Sequence, residues 1–161
     1  MPKLTLFCLI LIPSSALALL PDLIPRPQGV LYKGAGAGFT VTDGTRVVFG
    51  DRSGDVIAPL IRAFQTAGVQ PRLLPTSEDP AGGDLIAVGT RRDRAVDRLC
   101  RERGLDVSAD YPGPEGYVID IAPDGVVVAG SASAGAFYGA LTLAQMIEKG
   151  RSPAVEGVTI Y

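Results

Sequence analysis

The chain has 161 residues, enough for one domain with a real hydrophobic core and too few for a barrel enzyme, which takes about 250. A composition of 47% hydrophobic and 20% charged residues excludes a disordered chain, while 20 glycines and 13 prolines call for many turns. With 15 basic against 17 acidic residues nothing steers the chain toward nucleic acid, and the absence of histidine excludes Ser-His-Asp or Cys-His catalysis and His-based zinc or haem sites.

Residues 1–18 have the pattern of a secretory signal peptide: Lys3 supplies a positive start, Leu4 to Ile12 an apolar run, and Ala16-Leu17-Ala18 a small-x-small cleavage site. Pro13-Ser14-Ser15 breaks the run well short of the roughly 18 to 20 apolar residues that span a bilayer, so no stable membrane insertion is expected after cleavage. The expected location is periplasmic or extracellular. Cleavage leaves 14 basic and 17 acidic residues and a single thiol, Cys100, so the core is expected to be held by burial without a disulfide.

Residues 19–38 form an extended Pro/Gly-rich segment, with Pro21, Pro25, Pro27 and the run Gly34-Ala35-Gly36-Ala37-Gly38, and 39–161 the domain proper. Phe39 to Thr42 and Arg46 to Phe49, separated by Asp43-Gly44, predict a β-hairpin. Ser53 is an expected N-cap, and Val56, Ile57, Leu60, Ile61 and Phe64 recur at helical spacing up to Gly68, the expected C′ residue. Arg72 to Leu74 and Asp84 to Gly89 predict strands around a polar loop. Thr90 and Asp93 form a capping-box-like pair opening a helix over 91–103 with the apolar stripe Ala95, Val96, Leu99 and Cys100.

Tyr117 to Ile121 and Val126 to Ala129 flank Pro123-Asp124-Gly125, a second hairpin. The stretch SASAGAFYGALTLAQMI, residues 131–147, predicts a third helix with Phe137, Leu141, Ala144 and Ile147 on its apolar face, ended by Gly150; Val155 to Tyr161 predicts a last strand. Hairpins alternating with about three helices predict a single α+β domain, helices packed on a sheet.

The candidate chemistry is sparse. Cys100 lies on an apolar stripe and reads as a small buried hydrophobe. Glu78-Asp79, Asp120 and Asp124 are the acids a glycosidic carboxyl pair would need, yet their turn-rich settings read as solvated turn acids. Arg91, Arg92, Arg94, Arg98, Arg101 and Arg103 are interleaved with Asp93, Asp97 and Glu102, the pattern of intrahelical pairs on a solvated face rather than a phosphate surface. Gly130 and Gly135 have phosphate-loop spacing, but Ala136 and Phe137 stand where Lys and Ser/Thr are required. The Gly135-x-x-x-Gly139 spacing implies instead that the helix backbone approaches a neighbour closely, with Phe137, Tyr138 and Leu141 filling the space around the glycines.

Residues 23–51 and 115–147 together resemble the N-terminal non-catalytic domain that precedes the barrel in β-N-acetylhexosaminidases of glycoside hydrolase family 20. The resemblance rests on a P-x-P start at Pro25 and Pro27, on Gly116-Tyr117, and on an A-G-x-F-Y-G-x-x-T-L-x-Q helix matched by Ala134, Gly135, Phe137, Tyr138, Gly139, Thr142, Leu143 and Gln145. Family 84 hexosaminidases carry a similar domain. The resemblance implies an α+β fold with helices on one face of a sheet, packed as an accessory domain against a catalytic (β/α) barrel. It further implies that the Asp-Glu pair doing the chemistry belongs to that barrel, which would follow "VEGVTIY". No residue of this chain is therefore assigned a catalytic, cofactor-binding or metal-binding role, and no cofactor is expected. A stand-alone secreted module binding carbohydrate or protein is the alternative, weakened by the absence of Trp among only ten aromatic residues.

Overall fold

The computed structural model describes residues 22–24, 26–50, 54–75, 78, 80–150 and 154–161. The expected signal peptide over 1–18, the expected cap Ser53, Pro25 of the P-x-P start and Asp79 lie outside these residues. Among the described residues nine strands and three helices follow in the order β1 (Val30–Tyr32), β2 (Phe39–Thr40), β3 (Arg46–Phe49), α1 (Ala58–Thr66), β4 (Arg72–Pro75), β5 (Leu85–Thr90), α2 (Arg94–Arg103), β6 (Tyr117–Ala122), β7 (Gly125–Gly130), α3 (Ser133–Gly150), β8 (Ala154–Val155) and β9 (Val158–Ile160). The fold is α+β, as expected, built on a seven-stranded mixed sheet of order β1-β9-β6-β7-β5-β3-β4.

The sheet corrects the first predicted hairpin. Asp43-Gly44 does form a turn, but β3 pairs in parallel with both β4 and β5, and β2 pairs with β8 in a separate two-stranded sheet. The turn is tied elsewhere: Thr45, fully buried, donates its hydroxyl to Asp84 Oδ1 at 2.6 Å, and Asp43 Oδ1 accepts from the Gln70 N–H at 2.7 Å. These bonds hold the start of β3 beside the starts of β4 and β5. The second hairpin stands as predicted, β6 against β7 over six residue pairs. The last strand is broken at Glu156-Gly157, where a Cβ on Gly157 would collide with Ala37. The segment 19–38 supplies β1, an edge strand antiparallel to β9.

Alternating side chains send the two faces of the sheet into two cores. One contains Val47, Ile86, Val88, Ile119, Val128 and Ile160 under α1 and α3; the other contains Val48, Ala87, Val118, Val127 and Ala129 under α2. Helices thus cover both faces, not one, because the strand β5 between them is apolar at every position from Leu85 to Val88 and buried throughout that run.

The helices show which stripe won in each case. Helix α1 starts at Ala58 after a turn, with Ile57 at the N-cap and no side-chain cap. It ends as expected at Gly68 (φ 74°), where the Gly68 N–H donates to Gln65 O and the Val69 N–H to Phe64 O. In α2 the predicted stripe Ala95, Val96, Leu99 and Cys100 is the buried one, although the helix begins at Arg94 rather than 91. In α3 Ala144 and Ile147 of the predicted face are buried, but Ala136, Ala140 and Leu143 take the places expected of Phe137 and Leu141. Phe137 and Leu141 are half-buried, and Tyr138 is exposed rather than filling space.

Small residues face the sheet because α3 lies against it backbone to backbone. A Cβ on Gly135 would enter the carbonyl oxygen of Gly116, and one on Gly139 would enter Val128 Cγ1. Replacing a helical glycine with alanine ordinarily stabilises a helix by about 1 kcal/mol. For Gly135→Ala the opposite sign is expected, a loss of about 2 kcal/mol through overpacking against backbone, read from urea unfolding midpoints at unchanged slope.

Candidate functional site

Two concavities lie at the end of the sheet where β3, β5 and β7 finish and β6 begins. The first is a crevice of about 550 Å³ over the carboxyl ends of β3, β5 and β7, walled by the starts of α2 and α3. Its side is formed by Gly50, Gly89 and Gly130, and Asp93 lies over the first two so closely that a Cβ on either would strike its carboxylate. Asp93 occupies the N-cap position of α2 but does not cap it. Its Oδ2 turns back instead and accepts from the Thr90 N–H at 2.8 Å and the Thr90 hydroxyl at 3.1 Å. The predicted Thr90 and Asp93 pair therefore exists, but it braces the loop that carries Arg91 and Arg92. The second concavity, about 520 Å³, is an apolar groove lined by Tyr117, Tyr138, Leu141 and Tyr161 beside Pro27 and Pro112. Tyr138 there is 40% exposed, and the Tyr117 hydroxyl is paired with Thr142 Oγ1 at 2.8 Å.

The acids part company. Asp124 is a solvated turn acid as expected, but Asp120 is not: it is 3% exposed, on the α2 face of the sheet. Lys33 Nζ stands 2.5 Å from its Oδ1, Thr159 donates its hydroxyl to the same oxygen at 2.6 Å, and Arg103 Nη1 donates to Oδ2 at 3.0 Å. Burial by itself would raise the Asp120 pKa; the hydrogen bonds from Lys33 and Thr159 and the charges of Lys33 and Arg103 outweigh it and hold the carboxyl below its ordinary value. Alternation from the apolar Val118 places Asp120 on an inner face, a signal that was present in the sequence. Glu78 is exposed.

The arginines also divide. Arg98 pairs with Glu102 at 3.2 Å and Arg101 with Asp97 along the helix, as predicted. Arg91, ahead of α2, reaches Asp97 at 3.0 Å. Arg103 departs from the solvated face and bridges Asp120 and Asp124, both at 3.0 Å, clamping the helix end to the β6–β7 hairpin. Cys100 is fully buried, and burial pushes its thiol up to about 11, against weaker lowering by Arg91. At Gly130 the room a Cβ would need is filled by the backbone of Ala132 and Ala136. Among the described residues no group of three or more Cys, Asp or Glu could hold a metal ion, and no helix is long and apolar enough to cross a membrane.

A mixed sheet covered on both faces by helices has counterparts among solved structures. Superposition on CpGH84D gives a TM-score of 0.70 at 17% identity, covering 86% of this chain and 23% of that one. A mutant Streptomyces plicatus beta-hexosaminidase in complex with product (GlcNAc) gives 0.60 at 26% identity, covering 86% and 25%. The GH20 beta-N-acetylhexosaminidase from Streptomyces coelicolor A3(2) gives 0.53 at 24% identity, covering 86% and 25%. The chain thus spans about a quarter of the length of the solved chains it matches. The chain belongs to the family described as glycosyl hydrolase family 20, domain 2, whose profile matches residues 20–161. No curated protein matches it.

Two outcomes follow from the buried groups. The Asp120 carboxyl is held below the unfolded value of about 3.9, so its stabilisation is present above that pH and is lost as pH falls through the lower folded value. Asp120→Asn is expected to be less stable by about 2 kcal/mol at neutral pH, below the figure for a sealed ion pair because Lys33 keeps 26% exposure, with the difference shrinking in urea titrations as pH falls below the unfolded carboxylate value of about 3.9. In the chain cleaved after Ala18, Cys100 is expected to resist a disulfide thiol reagent in the native state and to react at once in denaturant; rapid native labelling of Cys100 would contradict its placement.

Proposed function

We propose that this chain is the accessory domain of an exported β-N-acetylhexosaminidase-like glycoside hydrolase, packed against a catalytic (β/α) barrel that carries the acid pair and acts in carbohydrate breakdown. The observation that carries the reading is the family match over residues 20–161, joined to solved chains of which this domain makes up about a quarter. The exposed apolar rings support it: Tyr111 (47% exposed) and Tyr138 stand beside the tyrosine-lined groove, a surface of the kind that a second domain covers. The charges agree, since the buried carboxylate Asp120 is committed to Lys33, Thr159 and Arg103 rather than to proton transfer. Export rests on the pattern of residues 1–18.

The test is an assay of the purified 161-residue chain on 4-nitrophenyl N-acetyl-β-D-glucosaminide. No nitrophenol release above the buffer rate is expected; turnover that scales with protein and survives repurification would refute a non-catalytic role. The DNA beyond the Tyr161 codon is expected to encode a barrel with an adjacent Asp-Glu pair.

A further inference from the structure

The two edges of the seven-stranded sheet are finished differently. β4, at one end, carries Pro75 within the strand and Pro71 just before it, with Arg72 exposed, and such residues discourage pairing with another chain. β1, at the other end, has the apolar sequence Val30-Leu31-Tyr32, with Leu31 61% exposed and both its neighbours exposed as well. Its register with β9 runs without a bulge from Gly29 opposite Tyr161 to Lys33 opposite Gly157. Lys33, the charge that would guard this edge, is turned onto Asp120 instead.

The register also fixes which backbone groups are open. Gly29 and Tyr161 exchange hydrogen bonds at 3.3 and 3.0 Å, and the Lys33 N–H donates to Gly157 O at 2.8 Å. Bonded pairs alternate with unbonded ones in an antiparallel ladder, so Leu31 also turns its backbone to β9, while the N–H and C=O of Val30 and Tyr32 point out of the sheet. Those groups have no partner strand among the described residues. They suit a second copy of the same strand. With Leu31 opposite Leu31 of the second copy on a two-fold axis, Val30 of each chain stands opposite Tyr32 of the other, at the bonded positions of a new antiparallel ladder. Every open group then finds a donor or an acceptor. On the face shared with Val158 and Ile160 each valine meets a tyrosine, a favoured cross-strand pair, and on the face shared with Thr159 Leu31 meets its own copy.

We propose that β1 is the interface of a symmetric homodimer in which the sheets of two copies join edge to edge. The strand is short, and an interface of this kind falls below the roughly 1,200 Å² of stable complexes, so a dissociation constant on the order of 100 µM is expected. The pairing rests on the strand register and not on the hydrolase reading, so its failure leaves the accessory role intact.

The test is sedimentation velocity of the chain cleaved after Ala18, under reducing conditions, from about 5 µM to about 1 mM. A rise from monomer to dimer with concentration is expected. Leu31→Lys and Leu31→Glu change an exposed side chain, and each is expected to weaken the dimer about tenfold because like charges then oppose across the axis; an equimolar mixture of the two is expected to restore it. Leu31→Cys is expected to cross-link to its own copy on oxidation, since an unbonded pair brings the Cα atoms to about 4.5 Å and Cys100 is buried. Tyr138→Ser, in the tyrosine-lined groove, is expected to leave the equilibrium unchanged. The proposal is overturned if the parent chain stays monomeric throughout, if the charged variants associate as the parent does, if their mixture fails to associate, or if Tyr138→Ser dissolves the dimer.

Discussion

The close approach of α3 to the sheet governs how the rest of this domain is arranged. Gly130, Gly135 and Gly139 each occupy a place where the missing Cβ is replaced by backbone or by a neighbouring core side chain. Because the helix can come so near, Gly116 receives the Ser131 N–H at 3.0 Å, and the strand ends of β6 and β7 are drawn together at one end of the sheet. The crevice and the tyrosine-lined groove both take a wall from this junction. A larger residue in any of the three places would lift the helix and change both concavities.

Charge is used in this fold as a fastener. Asp120 draws Lys33 from the segment after β1, Thr159 from β9 and Arg103 from the end of α2 onto one carboxylate. Through Arg103 the same cluster reaches Asp124 in the β6–β7 turn. Removing one member of such a cluster is costlier than its pairwise contacts suggest, because the others remain desolvated without their partner. Asp93 fastens in a different manner, bracing a loop over two glycines.

Local signals were legible in the sequence and long-range pairing was not. The stripe of α2, the αL exit of α1 at Gly68 and the β6–β7 hairpin all follow from residues within a few positions of one another. The partners of β3 do not, since its neighbours come from later in the chain and outcompete an Asp-Gly turn that favours a hairpin. On α3 helical spacing points to Phe137 and Leu141 as inner residues, whereas close packing gives their places to Ala136 and Ala140 and leaves Tyr138 outside. Of the site, Asp93 and Thr90 were recognised as a pair, but the crevice they border depends on the divergence of α1 and α2 to opposite faces. No local pattern encodes that divergence. Asp120 lies close to the Pro123-Asp124-Gly125 turn, which suggests a solvated acid, whereas its register with Val118 puts it in the core.

The pairing of β1 with β9 has a consequence for the order of events in folding. Val30 is opposite Ile160 and Tyr32 opposite Val158, so an edge strand near the start of the described chain has no partner until nearly all of the polypeptide is available. Contacts so far apart in sequence bring a high entropic cost of closure and slow the rate at which the sheet is completed. During synthesis the β4-β3-β5-β7-β6 strands are all available to pair while β6 still lacks β9 and β1 still waits, with Lys33 yet to find Asp120. The first strand of the described chain thus enters the sheet only once the last one is present.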